Sequence, residues 1–185
     1  MRNLHPLIRL AILAALVAMF AIAGANAPSL AQSAVAPVTV RWADGAFSVK
    51  IPNGWQQVAP EDPNARLEIR SAAVRGNCTI STRPAEQPRI EDYDRAWFDA
   101  RAAAVLRQAV VRSYELKRIG ANRGGLGDVV GDLELAGGTK RFRGQMFFLL
   151  DRGIRYTISC FDDVASYDAI RPAFTLLTES FAFVK

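Results

Sequence analysis

From Val38 onward, apolar and polar residues alternate along most of the chain, the period of strands half buried in a sheet. Phe47, Val49 and Ile51 alternate with Ser48 and Lys50, Pro52-Asn53-Gly54 breaks the run, and Trp55 follows the turn. Leu67 and Ile69, then Cys78 and Ile80, mark two further strands linked near Gly76-Asn77. Val129, Leu133 and Leu135 run into Gly137-Gly138, a hairpin signal, after which Phe142, Met146, Phe148 and Leu150 return. Asp151-Arg152-Gly153 turns the chain again into Ile154, Tyr156, Ile158 and Cys160. Connections this short predict an antiparallel meander.

Two segments switch to helical period. Across residues 91–110, Tyr93, Trp97, Ala100 and Ala104 recur on one predicted stripe, with Glu91 or Asp92 as the cap and Asp94 complementing the helix dipole. Tyr167, Ile170, Phe174 and Leu177 form a second stripe, in which Pro172 must fall in the first turn or kink the helix. Phe181 and Phe183 then face one way in a last short strand. The order of strands, long helix, meander, second helix and terminal strand predicts an α+β fold, an antiparallel sheet flanked by helices, with residues 38–185 as one domain.

The first residues follow another pattern. Arg2 and Arg9 precede an apolar run from Leu10 to Ala23. That run is shorter than the roughly 20 residues a membrane span needs but suits a secretory signal. Small residues allow cleavage after Ala27 or Ala31, and Pro28 directly after the first site favours the second. The expectation is a signal peptide over 1–31, a flexible leader over 32–37, and a periplasmic or secreted domain with no transmembrane segment after cleavage.

Composition sharpens this picture. Removing Arg2 and Arg9 from the 23 basic residues leaves 21 against 18 acidic ones, a net charge near +3, too mild to point to nucleic acid. Arginine outnumbers lysine, which occurs only at Lys50, Lys117, Lys140 and Lys185, and alanine is abundant, a bias that suggests a GC-rich bacterial genome and hence the periplasm. In such a compartment two cysteines are expected to pair. Cys78 begins one predicted strand and Cys160 ends another; if the two lie antiparallel and adjacent, a disulfide is geometrically natural.

The only histidine, His5, lies in the expected signal, which leaves the mature domain without imidazole for nucleophilic catalysis or metal ligation. No enzymatic activity and no cofactor is expected. Asp162 and Asp163 read as helix capping, and no SxxK spacing accompanies Ser113, Ser159 or Ser166. The glycine-rich stretch Asn122 to Asp128 reads as a flexible turn, because a strand-like segment follows where a phosphate cradle needs a helix. Among the basic residues that crowd the meander, Arg118, Arg123, Arg141 and Arg143 are candidates for binding an anion or an acidic partner. Arg141 and Arg143 flank Phe142 and should share one exposed face, where they either bind or form ion pairs of a solvated strand.

Three features together, FSVKIPNGW from Phe47 to Trp55, the turn-linked strands ending in RYTISC, and the closing ESFAFV, resemble the PsbP-like superfamily over about residues 38 to 185. That superfamily includes an extrinsic photosystem II subunit, a Ran-binding nuclear import factor and bacterial envelope proteins. The resemblance implies an α/β/α sandwich and a non-enzymatic accessory or binding role. The Cys78 and Cys160 pair is not part of the general pattern, and nothing marks a photosynthetic or nuclear context. The expected function is an exported periplasmic binding protein acting on an envelope protein or an anionic ligand. Two alternatives stand beside it: a small-ligand or lipid carrier with a cavity between sheet and helix, and, least favoured, a carboxylate-based hydrolase.

Overall fold

The alternating segments pair into two antiparallel sheets in a computed structural model that describes residues 36–42 and 46–184; the expected signal peptide and all but the end of the expected leader lie outside the described residues. The strands are β1 (Val38–Arg41), β2 (Phe47–Ile51), β3 (Trp55–Val58), β4 (Ala65–Ser71) and β5 (Asn77–Pro84), then, beyond the helix α1 (Arg95–Val105), β6 (Arg107–Ile119), β7 (Asn122–Leu135), β8 (Gly138–Asp151) and β9 (Ile154–Asp163). Helix α2 (Tyr167–Ser180) and β10 (Ala182–Phe183) close the chain. Seven strands form the large sheet in the order β3-β4-β5-β9-β8-β7-β6, and β1-β2-β10 form a small one. All strand pairs are antiparallel.

Pleating sorts each strand between two faces. Leu67, Ile69, Cys78, Ile80, Phe147, Ile158 and Cys160 point to one face, where they pack with Tyr167, Ile170, Phe174 and Leu177 of α2 and with Phe47 and Val49 of the small sheet. On the opposite face Val129 and Phe148 pack with Phe98 and Ala102 of α1. One helix therefore lies on each side of the large sheet, the α+β arrangement of the sequence reading.

Several local readings change. Helix α1 ends at Val105, and Gln108, with φ +49°, breaks the chain into the 13-residue strand β6. Register shifts between Arg107 and Val110 and between Val111 and Ser113 interrupt the alternation of β6, which hid it in the sequence. The cap of α1 is Asp94, whose side chain accepts from the Trp97 N–H at 2.8 Å, and the buried positions of the helix are Phe98 and Ala102 in place of Trp97, Ala100 and Ala104, while Tyr93, just ahead of the helix, is buried as expected.

The glycine-rich stretch is no flexible turn. It is the first half of β7, and its glycines let aromatic rings lie on the backbone: a Cβ at Gly127 would stand 2.1 Å from Phe98 Cζ. Pro172 lies inside α2 rather than in its first turn.

Candidate binding groove beside the first helix

Beyond the end of its packed stripe, α1 leaves part of its sheet face uncovered. Trp97, Arg101 and Val105 recur every four residues, so they stand on one side of the helix. They form the wall of a groove of about 180 Å³. Its floor comes from β5, β8 and β9, whose polar face alternates with the buried one. Thr79 faces Ser159, with their hydroxyls 2.9 Å apart, and Ser81 faces Thr157. Next in the ladder Arg83 faces Arg155. Met146, Phe148 and Phe161 supply apolar floor, and Asp62 closes the rim.

Arg155 is 3% exposed. Its Nη1 donates to Glu86 Oε1 at 2.9 Å, and its guanidinium lies 5.0 Å from the centroid of the Trp97 ring, within cation–π range. Its Nε finds no acceptor. Glu86 also accepts from the Trp97 indole N–H at 2.8 Å and lies 3.8 Å from Arg101, whose own guanidinium is 5.9 Å from the same ring. One carboxylate thus orients both the ring and the cation at the groove. The Trp97 indole N–H, helped by Arg155 and Arg101 and opposed by partial burial, holds the Glu86 carboxyl below its ordinary range. Asp62 lies 3.8 Å from Arg83 across the rim.

The four arginines singled out in the sequence do not converge. Arg118 donates to the Ala121 carbonyl at the β6–β7 turn and lines a shallow polar depression with Lys117, Arg171 and Glu179. Arg123 pairs with Glu91 at 3.1 Å. Arg141 and Arg143 share a face of β8, as their spacing requires, but it is the face that carries α2, and each meets a carboxylate: Asp132 at 2.8 Å and Asp128 at 2.7 Å. Arg143 also lies 4.2 Å from the Tyr167 ring centroid. Asp128 keeps the Arg143 guanidinium charged, whereas burial, with Asp128 adding, pushes the Tyr167 phenol up to about 12. Nine residues of β7, roughly 30 Å of strand, separate Arg123 from the Arg141 pairing partner Asp132.

Cys78 and Cys160 sit opposite each other across β5 and β9, their sulfurs at bonding distance, 1.94 Å. They lie on the buried face, one pleat away from the groove. Asp162 is fully buried, with one oxygen accepting from the Asp163 N–H, and Asp163 accepts from the Ala165 N–H, so the pair shapes the turn before α2 instead of capping the helix through Ser166. Among the described residues no cluster of three or more His, Cys, Asp or Glu is placed to hold a metal ion. The groove itself was absent from the sequence reading. Its trace was the polar alternation Arg155, Thr157, Ser159 on β9 beside Thr79, Ser81, Arg83 on β5.

No protein-family model and no curated protein sequence matches the chain. Solved structures do. The solution structure of cyanobacterial PsbP (CyanoP) from Synechocystis superposes with a TM-score of 0.55 at 13% identity, covering 87% of this chain and 99% of that one. The Saccharomyces cerevisiae Ran-binding protein Mog1p superposes with a TM-score of 0.53 at 10% identity, covering 81% of this chain and 96% of that one. Identities this low carry the fold alone, and with the two-sheet, two-helix architecture they assign this chain to the PsbP-like/Mog1 fold.

Proposed function

We propose that this protein is an exported, non-catalytic binding protein of the bacterial envelope and that the groove beside α1 is its binding surface. Arg155 carries this reading: a guanidinium buried in a groove, clamped through Glu86 and Trp97, with an N–H left without an acceptor. Leaving such a donor unmade costs roughly 1–3 kcal/mol, and a ligand that accepts from it recovers that energy. The apolar run ahead of a paired-cysteine domain supports export, and no helix among the described residues is long and apolar enough to cross a membrane.

The lipid-carrier alternative finds no support in this groove. Sites for drug-sized ligands hold about 300–1,000 Å³, whereas this one holds about 180 Å³ and has guanidinium and hydroxyl groups among its lining. Native mass spectrometry of the protein purified from the periplasm of its own host tests the reading. The expected result is a chain shortened by its leader, lighter by two hydrogens for the disulfide, and carrying a small molecule that is lost on denaturation. A full-length chain with free thiols and nothing bound would contradict it.

A further inference from the structure

Cross-strand neighbours of like charge repel, and directly opposed pairs destabilise a sheet unless something compensates them. Arg83 and Arg155 are such a pair, facing each other across β5 and β9 on the floor of the groove. Their compensation is partial. The three guanidiniums of the groove, Arg83, Arg101 and Arg155, are met by two carboxylates, Glu86 and Asp62, with separations of 2.9 to 3.8 Å. One positive charge is left over. Both carboxylates approach from the margins, and neither reaches the Arg155 Nε.

We infer that the groove binds a small monocarboxylate with a flat apolar body, its carboxylate taken between Arg155 and Arg83 and its body laid along Trp97, Met146 and Phe161. This rests on the groove being the binding surface and adds the chemical class of its ligand. A carboxylate matches the planar fork of a guanidinium in shape. A single negative charge matches the surplus, whereas a phosphate dianion would overcompensate it beside Glu86 and Asp62. The Thr79, Ser81, Thr157 and Ser159 hydroxyls supply donors along the floor, and the small volume limits the body to about one ring.

The Trp97 indole N–H, held by Glu86 at the groove wall, is the reporter. Its cross-peak in a ¹H–¹⁵N spectrum of the oxidised protein, assigned by Trp97→Phe, is followed during titration with benzoate, its neutral counterpart benzamide, and phenyl phosphate. Benzoate is expected to move the peak saturably while benzamide leaves it in place and phenyl phosphate binds more weakly. A hydrogen bond to a charged group contributes about 1.5–3 kcal/mol, so Arg155→Lys, which keeps the charge but loses the fork, is expected to weaken benzoate about 10- to 100-fold. Arg83→Gln, at a half-exposed position, is expected to weaken it by a smaller factor, and Arg141→Gln, on the other face of the sheet, not at all. The Trp42 and Trp55 indole peaks report that each variant is folded.

Equal response to benzoate and benzamide, stronger binding of phenyl phosphate, or unchanged benzoate binding in both Arg155→Lys and Arg83→Gln overturns the inference. If native mass spectrometry has meanwhile found a neutral molecule whose release moves the Trp97 peak, the groove stands as the binding surface and only the ligand class falls.

Discussion

A guanidinium withdrawn from water needs acceptors for its five N–H groups, and Arg155 has one carboxylate and one aromatic ring. That shortfall separates Arg155 from Arg143, which is also partly covered but meets Asp128 through both Nε and Nη2. The first is a cation positioned for something outside the chain; the second is satisfied within it. Close packing has an equally local signature at Gly127, where the Phe98 ring occupies the space of a side chain. Gly127→Ala forces that ring outward, and overpacking of this kind costs roughly 1–3 kcal/mol. A urea titration is expected to show the loss as a lower midpoint at unchanged slope; a midpoint equal to that of the parent would mean that the ring yields freely and that the glycine is not there for the contact.

The strand pair β5–β9 is the element on which both halves of the account meet. Its inward pleats carry Cys78, Ile80, Ile158 and Cys160 into the core, and its outward pleats carry the hydroxyls and the arginine pair into the groove. The bond between Cys78 and Cys160 closes a span of 82 residues, worth about 4–5 kcal/mol on the chain-entropy model, an upper figure for this protein. Reduction is therefore expected to lower the denaturation midpoint, with a loss of unfolding free energy of up to that amount, while the far-ultraviolet circular dichroism at low denaturant stays that of the native strands; loss of strand signal on reduction alone would show that the bond specifies the fold instead of stabilising it. Strand alternation made the inward pleats legible from the sequence, since every residue of the Ile154, Tyr156, Ile158, Cys160 series shares a face. It was silent about the outward ones. Whether a polar pleat meets solvent, a helix or a groove depends on how far the opposing helix reaches, and α1, at 11 residues or about 16 Å, stops at Val105. In the sequence, alanines and the valines beyond continue a plausible helical period to residue 110, which leaves no sign of an uncovered strip. The sequence draws attention instead to Arg141 and Arg143, whose carboxylate partners sit on another strand and are invisible to spacing.

At the scale of the whole molecule, the two faces of the large sheet divide the work. The face under α2 and the small sheet is a continuous apolar core that anchors both ends of the described chain, with β10 pairing onto β2. The face under α1 is closed over β6 and β7 and open over β5 and β9. Binding on such a scaffold requires no rearrangement of the core, so its effect on local stability should stay on one side. Hydrogen exchange, compared between protein as purified from its own host and the same protein after unfolding, stripping and oxidative refolding, measures this directly. The account predicts slower exchange in the native preparation confined to α1 and to the strands β5 and β9 that border the groove. Protection confined instead to the Arg118 turn, to α2 or to the small sheet, with α1, β5 and β9 unchanged, would contradict the assignment of the groove as the binding surface.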